Sequence, residues 1–289
     1  MVLRRAPRPA LRPFIETLWA TDERAASGSV AARREHVLPT GRMHLAIRLS
    51  DDPLRLFDDA GDHAGRLVSE AVVGGARDSF YIRDVSRPVC SVGAVVRPGA
   101  ADALFGVPAH ELAGQHTPLD ALWGPPVVSM RDRLAEIRSL DERLDAFEAV
   151  LASRLPRARG LHPAVAQALE QLLIVPAAAT DHTEERGSSL AVRDVVKQSG
   201  YSHRTFLSLF HRAVGLTPKV YCRVLRFQRA LRRVSAGTAS WLDVALAAGY
   251  SDQAHFNREF RKFVGVTPTE YRHVAPRFPN HVPVGAVRR

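Results

Sequence analysis

Residues 249–268 read Gly249-Tyr250-Ser251-Asp252-Gln253-Ala254-His255-Phe256-Asn257-Arg258-Glu259-Phe260-Arg261-Lys262-Phe263-Val264-Gly265-Val266-Thr267-Pro268. The same scaffold stands earlier in the chain as Gly200-Tyr201-Ser202, followed by Phe206, Phe210, Gly215, Thr217-Pro218 and Tyr221. The offset is 49 at Gly-Tyr-Ser and 50 from the first phenylalanine onward, so one residue is inserted in the second turn. Two copies are too few for a solenoid, which needs about three repeats to bury a continuous core. A duplicated small unit is the better reading.

Each copy opens with a short helix, Leu190 to Ser199 in one and Trp241 to Ala248 in the other, and breaks at Gly200 or Gly249. The serine of Gly-Tyr-Ser is a good N-cap for a second helix. That second helix carries phenylalanines four apart, about one turn, so both rings face one core. Gly215 and Gly265 are candidate C-caps. Thr217-Pro218 and Thr267-Pro268 then open a further helix, with Thr as cap and Pro in the first turn. Helix, glycine turn and capped helix form the helix-turn-helix arrangement, whose second helix enters the DNA major groove.

Opposite the phenylalanines, the second copy presents Ala254, Asn257, Arg258 and Arg261, flanked by Gln253 and His255. The first presents Arg204, Ser208 and His211, flanked by Thr205. Arg, Gln and Asn can make bidentate contacts to guanine or adenine edges. Arg258, Gln253, His255 and Arg204 are therefore the candidates for base contact. Arg261, Lys262 and Arg212, later in their helices, are candidates for phosphate. The stretch from Pro218 to about Val234 joins the copies as a helix of about 25 Å, suited to two reading heads in successive grooves. Its arginines, Arg223, Arg226, Arg229, Arg232 and Arg233, could equally just solvate one face.

Charge tracks the repeat. Of 40 Lys+Arg and 30 Asp+Glu, residues 190–289 hold 17 and 5, whereas residues 1–189 hold 23 and 25. A basic region beside a near-neutral one points to a polyanion partner for the former, nucleic acid or an anionic membrane surface. The two cysteines, Cys90 and Cys222, make no disulfide framework and no metal-ligand spacing. No run reaches the roughly 18 apolar residues of a membrane span. Met1 to Pro13 is basic and proline-rich, unlike a signal peptide, so a cytoplasmic setting is expected.

Residues 14–100 read as short strands: His44 to Leu49, Leu67 to Val73 and Val89 to Val96 are bounded by Gly, Pro and Asp. Ala100 to Leu104 and Pro108 to Ala113 read as short helical pieces. Longer helices come next at 129–155, with apolar residues every three or four positions, and at 162–175. The expected organisation is an N-terminal sensing or dimerisation domain over 1–175, a linker over 176–189, a DNA-binding domain over 190–275 and a flexible tail over 276–289. The fold class is an α+β N-terminal domain followed by an all-α C-terminal domain of two helix-turn-helix units joined by a linker helix.

Residues Leu190 to Arg272 resemble the DNA-binding domain of the AraC/XylS family of transcription regulators. The run Gly249 to Lys262, followed by Gly265-Val266-Thr267-Pro268, is its most specific part. Two positions depart from the family pattern: Ser208 stands where arginine is usual, as at Arg258, and Val196 where alanine is usual, as at Ala245. The first unit is thus expected to read DNA less specifically and to lean on phosphates. The N-terminal region resembles a sensor domain of a subset of that family, through Leu38-Pro39-Thr40-Gly41, Gly74-Gly75, Arg97-Pro98-Gly99-Ala100-Ala101 and Pro108-Ala109-His110-Glu111-Leu112. By analogy it is a sensing or dimerising half, with a cupin-like barrel as one form.

The resemblance implies a sequence-specific DNA-binding regulator of transcription, an activator in the cytoplasm, modulated through its N-terminal domain and not an enzyme. Its expected DNA-binding residues are Arg204, Thr205, Ser208, Gln253, Ala254, His255, Asn257, Arg258, Arg261 and Lys262. Double-stranded DNA is the expected partner, with RNA polymerase, a small-molecule effector and a second copy (homodimer) as further candidates, and no membrane. No catalytic residue, metal or cofactor is expected: His36, His44, His63, His110 and His116 show no ligand cluster in sequence, and no nucleophile elbow or phosphate-binding glycine loop is present. The rival readings are an enzyme domain fused to a DNA-binding tail, which would need a reactive cysteine at Cys90, and a nonspecific architectural binder. Trp19, Phe57, Phe80, Tyr81, Phe105 and Trp123 could line a pocket, although core packing is the commoner role.

Overall fold

The computed structural model describes residues 1–22, 34–155, 160–174, 184–236 and 240–284. In chain order the strands among them are β1 (Val2–Arg5), β2 (Ile15–Asp22), β3 (Arg34–Val37), β4 (Met43–Arg48), β5 (Arg55–Phe57), β6 (Arg66–Leu67), β7 (Ala71–Gly74), β8 (Tyr81–Asp84), β9 (Cys90–Val96), β10 (His116–Pro118) and β11 (His281–Pro283). The helices are α1 (Ala101–Phe105), α2 (Ala109–Leu112), α3 (Asp120–Trp123), α4 (Pro126–Glu136), α5 (Leu140–Arg154), α6 (Pro163–Ile174), α7 (Glu184–Ser199), α8 (His203–Val214), α9 (Pro218–Ala236), α10 (Trp241–Ala248), α11 (Gln253–Val264) and α12 (Pro268–Val274).

The strands form two antiparallel sheets, ordered β1-β2-β9-β4-β7-β10 and β11-β3-β8-β5-β6. Alternation along β4 explains the layering. Leu45 and Ile47 enter the main core with Val73, Val92 and Ala94, whereas Ala46 packs with Val72, Leu54, Leu56 and Tyr81 toward the second sheet. The cupin-like barrel is thus represented by two sheets that, among the described residues, are not hydrogen-bonded into a closed cylinder. Trp19 lies over Gly93, its neighbour in the β2–β9 register; a Cβ there would overlap the indole.

Three expectations change. The helix expected over 129–155 is two helices, because Ile137 is extended (ψ 118°) and Ser139 caps a new helix by accepting from the Glu142 N–H. Apolar periodicity runs through the break and conceals it. The fully buried Arg143 donates to the carbonyls of Leu134 and Ile137 at the loose end of α4, and to Cys90 Sγ at 3.0 Å. Second, the expected linker at 176–189 is helical from Glu184, and residues 175–183 lie outside the described residues. Helix α6, expected in the N-terminal domain, packs on α7 and α8, with Gln171 donating to Gln198 and Tyr201 meeting His162. Third, the tail expected to be flexible returns as β11 and pairs antiparallel with β3, burying Val282. Proline content concealed a strand because Pro283 sits at the edge of its sheet.

One continuous hydrophobic core runs from the first sheet through the helices to β11. In the C-terminal half Phe206, Phe210, Phe256 and Phe260 are all fully buried, as their spacing predicts. Val196 is buried at the place of Ala245 without breaking the unit.

Candidate nucleic-acid interface

Both recognition helices, α8 and α11, are built the same way. Ser202 caps α8 by accepting from the Thr205 N–H. In α11 the cap is Asp252 and not Ser251; it accepts from the His255 N–H at 2.7 Å. The inserted residue has moved the cap one place along, and Ser251 instead donates to the Asp252 carboxylate. The His255 N–H, then the Ser251 hydroxyl, hold that carboxyl below the usual range, so the cap stays charged at neutral pH. Gly215 and Gly265 close the helices in the left-handed region, with φ of 83° and 84°. There glycine avoids a Cβ penalty.

Capping at one end and buried phenylalanines on one side leave the opposite face outward. On α8, Arg204, Thr205 and Ser208 are exposed; the Thr205 hydroxyl is hydrogen-bonded to Ser202. On α11, Gln253, Ala254 and Arg258 are exposed, and Arg261 and Lys262 are exposed in the last turn. Asn257 is half-buried. His255 is half-buried as well, edge-on to Tyr250 at 5.5 Å, and burial lowers its pKa, so it is the least outward of the expected base readers. The structure therefore gathers Gln253, Ala254, Asn257, Arg258 and Arg261 on one face, and Arg204, Thr205 and Ser208 on the corresponding face of α8.

The linker helix α9 has 19 residues, about 28 Å. Two of its arginines have an internal role. Arg223 and Arg226 reach the buried Glu259 of α11 at 2.7 and 3.1 Å. Arg226 also lies over the Tyr250 ring at 4.5 Å. Burial opposes ionisation of Glu259, but Arg226 and then Arg223 outweigh it and its pKa is lowered. The position matching Glu259 in the first unit is Leu209, so this lock belongs to the second unit alone. Separation by 33 and 36 residues gave these pairs no sequence signal.

The N-terminal half brings together residues whose sequence spacing showed no cluster. His44 and His116 both pair with Gly74, from strands on either side of it. Arg77 lies 3.3 Å from His116 and over the Tyr81 ring. Burial, then neighbouring cations, lowers His44 to about 4 and His116 to about 3. Among the described residues no group of three or more His, Cys, Asp or Glu could hold a metal. Phe105, Trp123, Arg154 and Arg212 line an open cleft of about 440 Å³ between the two halves. Trp123 donates to the Leu104 carbonyl, and Arg154 lies over its ring at 4.4 Å.

Fold and surface define a protein with a paired helix-turn-helix, whose second helices each present an outward polar face on a basic C-terminal half. Residues 195–273 match the helix-turn-helix domain model and residues 3–118 match a domain of unknown function (DUF6597). The chain belongs to the AraC family of transcriptional regulators. It is 32% identical over 88 residues to the probable transcription factor PqrA of Proteus vulgaris, covering 30% of this chain and 72% of that one. It is 30% identical over 89 residues to the melibiose operon regulatory protein of Escherichia coli (strain K12), covering 31% and 30% of the two chains. The chain spans about a third of the length of the first curated relatives it matches. Among solved structures it is similar to an AraC-type regulator from Chromobacterium violaceum (TM-score 0.33, 23% identity, 40% of this chain and 94% of that one). It is also similar to wild-type ToxT from Vibrio cholerae bound to an unsaturated fatty acid (TM-score 0.43, 11% identity, 94% of both chains). Among the described residues no helix is long and apolar enough to cross a membrane.

Proposed function

We propose that the chain is a sequence-specific, DNA-binding regulator of transcription that reads two successive major grooves with α8 and α11. The observation that carries this reading is the duplicated, capped recognition helix with its outward face exposed: Arg204, Thr205 and Ser208 in one copy, Gln253 and Arg258 in the other, with Asn257 half-buried beside them. Arg258 and Gln253 supply the base contacts of the second unit; Arg261 and Lys262 hold phosphates. The N-terminal half, as 1–155, is a sensing domain for a small molecule or protein partner. The cleft that Arg154 and Arg212 line from either half supports this reading, since a ligand there touches sensor and reader together. RNA polymerase and a second copy of the chain are further partners of the same proposal. Catalysis at Cys90 is disfavoured, because its side chain is only 3% exposed, out of a substrate's reach.

Selection of bound sequences from random DNA with the full chain tests the reading. The expected product is a site of two parts about one helical turn apart, bound at least about 10³-fold more tightly than random DNA at fixed salt. Binding without enrichment of any sequence would make the protein a nonspecific architectural binder.

A further inference from the structure

The duplicated turn after each recognition helix is used twice for the same purpose. At the end of α8, a Cβ on Gly215 would fall 2.9 Å from the Ala109 carbonyl oxygen and 3.5 Å from the Ala113 side chain, both from the α2 region of the N-terminal half. At the end of α11, a Cβ on the equivalent Gly265 would fall 2.6 Å from the His36 ring of β3 and 2.9 Å from Phe80, just before β8 of the same sheet. His36 Nδ1 is 2.8 Å from the Val264 carbonyl oxygen, one of the acceptors a helix leaves unpaired at its C-terminus. The imidazole donates there and is clamped against Phe80 with ring centroids 4.2 Å apart. A third point lies near the middle of α9, where Gln228 donates to the Pro39 carbonyl and to Asn280, each at 2.8 Å.

We infer that the N-terminal half is a jig that fixes the placement of one reading head relative to the other, and so sets which half-site spacing the protein accepts. One helix such as α9 fixes mainly the distance between two units. Contacts at the end of α8, the middle of α9 and the end of α11 also fix their mutual rotation, because three separated points orient a rigid body. His36 is a positioning residue in this scheme: it touches no base, and it acts by holding α11. Arg204, Thr205 and Ser208 on α8 and Gln253, Ala254 and Arg258 on α11 stay exposed while the jig is engaged, although His211 at the far end of α8 meets His110 of the N-terminal half, so docking leaves the N-terminal turns of both helices open to DNA.

The inference rests on the two-groove reading, and the test separates the two. With the selected two-part site in hand, affinity is measured for that site and for versions with one base pair inserted or removed between the halves. One base pair displaces the second half by about 3.4 Å and rotates it by about 35°. The full chain is expected to lose about 30-fold or more at either altered spacing, the order of losing the contacts of one head. In His36→Ala the loss shrinks to about 5-fold or less. His36→Asn, whose amide nitrogen reproduces the Nδ1 donor, restores the penalty. Gln228→Ala relaxes spacing in the same direction and serves where His36→Ala does not fold. Arg258→Ala, by contrast, weakens all three spacings together. A one-part selected site overturns both the two-groove reading and the jig. A two-part site with an unchanged spacing penalty in a folded His36→Ala or Gln228→Ala chain overturns the jig alone, as does a native chain indifferent to spacing.

Discussion

Arg258 and Glu259 are neighbours with opposite duties. Arg258 is exposed on the outward face of α11, proposed to read DNA, and Arg258→Ala is expected to cost about 1–3 kcal/mol at one base pair, relaxing preference there. Equal loss on every sequence in a binding titration would make it a phosphate ligand. Glu259 points inward, 5% exposed, and Glu259→Ala leaves Arg226 buried at 8% exposure without its carboxylate. Breaking one partner of a buried pair costs about 3–5 kcal/mol, to be read from denaturant unfolding. A loss below about 1 kcal/mol would show that water reaches Arg226. The two tyrosines of the repeat diverge in the same way: Tyr250 is buried under Arg226, whereas Tyr201 is exposed and meets His162, just before α6. The phenylalanine pairs were legible in the sequence because helical spacing is a local signal. The Glu259 lock was not, because it depends on how α9 crosses α11.

At the scale of elements, local chemistry explains most boundaries. The glycine closures, the Thr267 capping box and Pro268 in the first turn of α12 are dictated by residue type. The misses have tertiary causes. Helices α4 and α5 separate because Arg143 satisfies carbonyls at the break, and strand β11 exists because β3 offers it an edge. Removing residues 277–289 takes away the β11–β3 ladder, the Leu38 N–H bond to Asn280 and the buried Val282. The truncated protein is expected to unfold about 2–4 kcal/mol more easily, the burial of one large side chain plus several backbone hydrogen bonds. An unchanged midpoint in a thermal scan would show β11 to be dispensable.

For the whole molecule, stability is tied to pH through the sheet interior. His44 and His116 titrate near 4 and 3 in the native state, against about 6.5 in an unfolded chain. Below about pH 6.5 the unfolded chain therefore takes up protons that the native state refuses. This contribution is complete at higher pH and is lost as pH falls, by about 1.4 kcal/mol per unit for each histidine. Denaturant unfolding between about pH 7 and pH 5, above the carboxylate range, should show it. His44→Asn should remove about 1.4 kcal/mol per unit at the acid end of that window, the rest belonging to His116 together with His36, His211 and His255, whose pKa values burial also lowers; an unaltered slope would assign the effect to those groups. The histidine pair could not be found by spacing, because 72 residues separate His44 from His116 and only the strand order joins them.

The pairing of β11 with β3 also orders events in time. Strand β3 precedes both α8 and α11 in the chain and its partner comes after them, so this ladder joins two of the most widely separated elements. During synthesis from the N-terminus, the second sheet keeps an unpaired edge on β3 until β11 emerges. An open edge is a template for other strands. A nascent or prematurely terminated chain is thus the form most exposed to wrong pairing, and α8 and α11, which lie between β3 and β11 in sequence, are complete before the sheet that docks at the end of α11 is.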